Sequence, residues 1–200
     1  LERIHRRMGG SILSRVGGAG PLTVDVDSSI LEVHGYLKEG ARYGYSGVRG
    51  LHPLLAFAYE ERVLLGARLR TGNRASADGV VPFLTQVLKA IPEPRRARLR
   101  MDAGFYARDV EQFCVARTLG FSISAKLTAR LRTAMDALPE HAWAAYPWEA
   151  DAEWAELSYQ PQGWSRGYRL LVKRTPWYEK DQRVLGEHFY TAVITNLAGA

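Results

Sequence analysis

The chain has 200 residues, 46% of them apolar and 24% charged. This is ordinary globular composition and excludes a disordered, collagenous or coiled-coil chain. Its 27 Lys and Arg against 21 Asp and Glu give a formal charge of +6, which permits a polyanionic partner without specifying one. One cysteine, Cys114, excludes a disulfide framework and a Cys-based zinc site. No stretch approaches the ~20 apolar residues of a membrane helix. The start, LERIHRRMGG, has charge but no apolar run after it, so no signal peptide is expected. A reducing cytoplasm is the expected compartment.

Residues 1–20 are basic, then Gly-rich, and read as a lead-in or linker. PLTVDVDSSILEVHG alternates apolar and polar from Leu22 to Ile30 and predicts a strand. Gly44, Gly47 and Gly50 break any helix over 41–50 and suggest a bent hairpin. HPLLAFAY (52–59) and RVLLGARLRT (62–71) predict two antiparallel strands. A helix follows over VVPFLTQVLKAI, with Ser76 or Asp78 as the expected N-cap and Pro92 and Pro94 as its end. ARLRMDAG (97–104) predicts a strand running into a glycine turn, 107–120 a helix, 121–127 a strand and 128–139 a helix. From 140 onward Trp, Tyr and Pro are dense, and the segment reads as β-rich, with HFYTAVITN (188–196) as its final strand.

The expected organisation is a lead-in over 1–20, a core over 21–139, and a β-rich insertion with a final strand over 140–200. Antiparallel strands followed by βα crossovers predict a mixed sheet flanked by helices, the order of the ribonuclease-H-like α/β fold. The strand at 22–30 should be central and beside the strand at 97–102.

Two strands carry acids that chemistry would use. Asp25 and Asp27 are two residues apart, so both point to one face of their strand. Carboxylates on a central strand are costly unless paired or holding a cation. Asp102 ends a strand just before Ala103-Gly104, and ligands of open α/β sheets gather at the carboxyl ends of strands. On adjacent parallel strands, Asp27 and Asp102 could hold one hard cation, since Mg²⁺ takes one or two carboxylates plus waters and substrate phosphate. The bland alternatives are a turn-capping Asp102 and an Asp25 paired to an arginine. Arginine clusters at 3–7, 95–100 and 128–133 suit phosphate better than lysines would, or else are solvated faces.

VDVDSS (24–29), YGYSGVRGLHPLLAF (43–57), ARLRTGNRASADG (67–79), RMDAGF (100–105) and YTAVITN (190–196), in this order and spacing, resemble the catalytic domain of bacterial insertion-sequence transposases of the DDE class. The resemblance covers residues 22 to 196. It implies a ribonuclease-H-like core with a β-rich insertion, and two-metal phosphoryl transfer on DNA with Mg²⁺, or Mn²⁺ in its place. It carries the first catalytic and metal-binding aspartate to Asp27, with Asp25 as runner-up, and the second to Asp102. Arg42, Arg49, Lys126, Arg130 and Arg132 become candidate contacts to double-stranded DNA at transposon ends. His52, before Pro53 in a β segment, is assigned to packing or hydrogen bonding. A homodimer is one assembly the resemblance allows, and it implies association with the nucleoid, not a membrane.

The third acid of that class is a glutamate on a helix after the insertion. No such helix follows the last predicted strand before Ala200, so a fragment or a truncated gene is expected. Asp136 is the first substitute, then Glu153, Glu156 and Glu187. Three readings follow: a nuclease and strand-transferase, a DNA-binding remnant without catalysis, and, more weakly, a small-molecule phosphoesterase. The segment alone is expected to bind DNA without transposing it, and to expose Phe189, Val193 and Ile194 on its last strand.

Overall fold

The computed structural model describes residues 2–16, 20–35, 37–93, 96–179 and 182–198. Two compact units divide the chain, Leu1–Phe121 and Ser122–Ala200.

The first unit runs α1 (Glu2–Val16), β1 (Leu22–Ser28), β2 (Leu31–Glu32), β3 (Arg42–Tyr43), β4 (Arg49–Leu51), β5 (Leu54–Ala58), β6 (Val63–Arg68), α2 (Val80–Leu88), β7 (Ala97–Met101) and α3 (Arg108–Ala116). Its main strands lie in the order β6-β5-β1-β7. β1 is antiparallel to β5 and parallel to β7, which makes the sheet mixed, with the aspartate-bearing strand inside it. The period-two pattern of β1 decides its facing. Val24 and Val26 are buried with Leu54, Ala56, Ala58, Leu99 and Met101, while Asp27 is exposed. α2 packs on β5, β6 and α3 and buries Val80, Phe83, Leu84 and Val87. Burying each such side chain is worth about 1.5–3 kcal/mol. β2, β4 and β3 form a small antiparallel sheet, and β3 with β4 is the bent hairpin expected over 41–50.

The second unit is entered by β8 (Gly120–Ser124), followed by α4 (Ala129–Asp136), β9 (Ala144–Ala145), β10 (Glu153–Tyr159), β11 (Tyr168–Glu179) and β12 (Gln182–Thr195). β8, β12, β11, β10 and β9 pair antiparallel in that order. This is the β-rich region expected from the Trp- and Tyr-dense sequence. Thr128 caps α4 by accepting a hydrogen bond from Leu131 N–H.

Three expectations are corrected. The lead-in is not a linker up to residue 16, because residues 2–16 are helical. Gly9 and Gly10 serve close approach: a Cβ on Gly9 would lie 3.0 Å from the Leu64 carbonyl oxygen, and one on Gly10 3.1 Å from that of Ala90. The bare helix face therefore fits against β6 at Gly9 and against Ala90, just after α2, at Gly10, and that packing outweighs the ~1 kcal/mol helix penalty of each glycine. Gly17-Gly18 lies outside the described residues. The N-cap of α2 is Gly79, at φ 70°, and neither Ser76 nor Asp78 caps it; both side chains bond elsewhere, Ser76 to Ser28 and Asp78 to Ala75 N–H. Finally, Ile194 is fully buried, while Phe189 is exposed and stacks on Trp177. Alternation along β12 forces neighbours to opposite faces, so Val193 and Ile194 are not both exposed.

Candidate functional site

The site begins with strand register. β1 and β7 pair in parallel from Leu22 opposite Ala97 to Val26 opposite Met101. Val24, Val26, Leu99 and Met101 point into the core. Asp25 and Arg100 are cross-strand partners on the other face. Continuing the same register by one residue sets Asp27 beside Asp102, at the carboxyl ends of two strands about 4.8 Å apart. Both aspartates are exposed.

Each carboxylate of this second pair is fixed by its own turn. Asp27 Oδ1 accepts from Ser28 N–H at 2.7 Å. Asp102 Oδ1 accepts from Gly104 N–H at 2.8 Å and caps the single 3₁₀ turn Ala103–Phe105. Asp102 is thus the turn-capping residue that the sequence allowed. It remains available as well, since its Oδ2, like that of Asp27, makes no hydrogen bond or ion pair to the described residues. Among the described residues no third His, Cys, Asp or Glu joins them in a metal-binding group. Two acceptor-only carboxylates on adjacent strand ends are nonetheless the donor set a hard divalent cation takes from a protein, so the residues fit the Mg²⁺ or Mn²⁺ that the sequence leads one to expect.

The loop over 71–79 braces the pair. Ser28 Oγ donates a hydrogen bond to Ser76 Oγ at 2.8 Å. A Cβ on Gly104 would lie 2.6 Å from Ser76 Oγ and 2.9 Å from Asp102 Oδ1, so only glycine fits there. Arg70 holds the loop from beneath. Its Nη1 donates to the carbonyls of Ala75, Ser76 and Asp78, and its Nε to that of His52. Asp78 Oδ2 accepts from Ala75 N–H. His52 is buried with Nδ1 2.7 Å from the Arg74 carbonyl oxygen, in keeping with its packing and hydrogen-bonding assignment.

Asp25 has a different fate from Asp27. Arg100 Nε and Nη2 donate to its two oxygens at 2.6 and 2.7 Å, a bidentate fork. The guanidinium also sits 4.3 Å from the centre of the Tyr59 ring. The hydrogen bonds to Asp25 raise the Arg100 pKa above its ordinary value, against the opposing effect of burial. An arginine partner for Asp25 was the bland alternative in the sequence, and Arg100 is that partner. A signal for it exists: D-x-D on one strand and R-x-D on the other have equal spacing, so in parallel register they form two consecutive cross-strand pairs. Ser28 and Ser76 escape sequence reasoning because their contact joins residues 48 apart through a loop.

Arg42 is exposed on β3, and Arg49 on β4 donates to the Gly35 carbonyl. Lys126, Arg130 and Arg132 are exposed in the second unit, at and on α4. Asp136 accepts from the Tyr190 hydroxyl at 3.3 Å. Glu153 and Glu156 are not simply solvated but are ion-paired to Arg174 and Arg169. The Glu187 side chain lies outside the described part. Among the described residues no helix is long and apolar enough to cross a membrane.

Residues 3–200 match the family model described as transposase DDE domain group 1. Among solved structures, a cryo-EM structure of piggyBac transposase in a synaptic complex with hairpin DNA is similar, with a TM-score of 0.53 and 9% identity. The match covers 91% of this chain and 34% of that one, so the chain spans about a third of its structural relative. At that identity the likeness shows the fold, a ribonuclease-H-like mixed sheet flanked by helices. No curated protein sequence matches.

Proposed function

Because the chain belongs to the transposase DDE domain group 1 family, we propose that it is catalytic-core sequence of a DNA transposase that cleaves and joins double-stranded DNA at transposon ends. The observation that supports this reading is the parallel pairing of β1 with β7 up to Val26 opposite Met101, one residue short of Asp27 and Asp102, whose Oδ2 atoms make no hydrogen bond or ion pair to the described residues.

In this reading Asp27 and Asp102 are the protein ligands of Mg²⁺, or of Mn²⁺ in its place. When bound, such ions polarise the scissile phosphate, activate the attacking oxygen and stabilise the leaving one. The chain's own contribution is to hold two like charges together without a neutralising side chain. Ser28 N–H and Gly104 N–H fix the Oδ1 atoms, and the Oδ2 atoms have no partner among the described residues. The Ser28–Ser76 bond and the bare Gly104 keep the two turns in contact. Two carboxylates hold a metal incompletely, so the reading includes a third acidic ligand from outside this pair. Arg42, Arg49, Lys126, Arg130 and Arg132 supply backbone phosphate contacts, which position DNA without reading its sequence.

The test is Mg²⁺-dependent cleavage of transposon-end DNA by the full-length protein carrying Asp27→Ala or Asp102→Ala. Losing one stabiliser of developing charge costs about 10²–10³-fold in rate, and each variant should lose at least that while retaining DNA in a filter-binding assay. Wild-type cleavage by either variant removes that aspartate from the site.

A further inference from the structure

We infer that Arg100 is a positioning residue for the metal site: by chelating Asp25 it removes the wrong carboxylate from competition and sets the net charge that the Asp27–Asp102 pair presents to a cation. The inference rests on the proposed metal reading and deepens it, because the strand-one ligand had two candidates.

Asp25 and Arg100 are cross-strand partners in the β1–β7 register, which ends at Val26 opposite Met101; the next residue of each chain segment is Asp27 and Asp102, on the same face as Asp25 and Arg100. Successive pairs on one face are about 6.6 Å apart along the strand. Without Arg100, Asp25 would be a third free carboxylate one step from Asp27, and a cation could settle between Asp25 and Asp27. With Arg100, both Asp25 oxygens are occupied, at 2.6 and 2.7 Å. Tyr59, with its ring centre 4.3 Å from the guanidinium, favours this orientation over one turned towards Asp102. Stability does not account for this arrangement. The Arg100 side chain is 51% exposed and that of Asp25 31%, and exposed ion pairs contribute about 0–1 kcal/mol. Its larger effect is local electrostatics. At low salt, a unit charge about 7 Å from a divalent ion in a water-like dielectric changes that ion's affinity roughly seven-fold.

The test is a double-mutant cycle read by Mn²⁺ binding at low salt, with free Mn²⁺ followed by electron paramagnetic resonance on the full-length protein. Asp25→Asn leaves Arg100 uncompensated and should weaken Mn²⁺ about seven-fold through Coulomb repulsion. Arg100→Gln frees the Asp25 charge and should tighten Mn²⁺ by a similar factor. Asp25→Asn with Arg100→Gln should return affinity to near the wild-type value. If Asp25 is itself a ligand, the double variant stays as weak as Asp25→Asn, and the inference is overturned. It is equally overturned if Asp25→Asn binds Mn²⁺ unchanged or Arg100→Gln binds it more weakly. Circular-dichroism melting curves check folding, and if Asp25→Asn fails to fold, the direction of the Arg100→Gln change alone decides. Asp27→Asn and Asp102→Asn separate the two levels. Undiminished Mn²⁺ binding by both overturns the metal site and this inference with it. Weakened binding in both, alongside a failed cycle, overturns only the role of Arg100.

Discussion

The acids of the second unit and the Asp27–Asp102 pair of the first are treated in opposite ways. In the second unit Glu140 and Glu153 both bind Arg174, Glu156 binds Arg169 and Glu149 binds Lys173. Arg174 is nearly buried and lies over the Trp143 ring at 4.2 Å. Its hydrogen bonds hold the Glu140 carboxyl below the usual carboxylate value, as Arg169 does for Glu156. Asp27 and Asp102 lie at the ends of neighbouring β1 and β7, and neither is ion-paired to a described residue. An acid with its own arginine is part of the scaffold. A pair of acids without one concentrates negative charge, and that imbalance is what a metal-dependent enzyme needs.

The largest effect should come from giving the site what the second unit has. Asp27→Lys places a cation opposite Asp102. Mg²⁺-dependent cleavage by the full-length protein should fall at least ~10²-fold, as when a stabiliser of transition-state charge is removed, while the melting temperature should not drop. A marked drop would mean that Asp27 is structural, like Glu153.

The converse change removes the cation from the second unit. Arg174→Met should destabilise the protein by about 1–3 kcal/mol in denaturant unfolding and leave Mn²⁺ affinity unchanged. The sign of the accompanying pH effect follows from the lowered Glu140 carboxyl. Its stabilisation is fully present above the usual value of 4.5 and is lost as pH falls through the lower folded value. The wild-type melting temperature should therefore fall below pH 4.5, and Arg174→Met should flatten that dependence. Gly104→Ala tests the brace: overpacking against Ser76 should cost about 1–3 kcal/mol and weaken Mn²⁺ binding together with stability.

Smaller effects sharpen the contrast at the surface. Arg130→Glu with Arg132→Glu should reduce the salt dependence of DNA binding by about one unit of slope for each phosphate that α4 no longer neutralises; an unchanged slope takes α4 off the DNA. The least change is expected at Cys114. Burial, first, and nearby Glu111 push its thiol up to about 12, so native protein should not react with a thiol reagent at about pH 8, near the free-thiol value. Rapid labelling would show that its α3 environment opens.

Much of the site is legible in the sequence. TVDVDS dictates the facing of β1 because alternation is local, and the βα order puts β1 beside β7. Asp27 and Asp102 stand out for the same reason. Register is what sequence could not supply. Whether Asp25 or Asp27 faces Asp102 depends on a two-residue offset between strands 75 positions apart. Gly9-Gly10 misleads because a glycine pair has the same composition in a linker as in a helix face pressed on a strand. The cap of α2 misleads because Ser76 and Asp78 have competing partners, Ser28 and Ala75 N–H.

The parallel pairing of β1 with β7 has a kinetic consequence. Its partners are 75 residues apart in the chain, and parallel strands cannot meet through a tight turn. Helices and the β5–β6 hairpin can form from neighbouring residues in microseconds, whereas a pairing with so long a loop to close belongs to the slow part of folding. Asp27 and Asp102 are therefore strangers until the chain has nearly finished collapsing, and the divalent-ion site proposed for them would have to wait until β7 has been synthesised and docked. In refolding experiments the appearance of Mn²⁺ binding should lag behind the helical circular-dichroism signal and coincide with the final recovery of native structure.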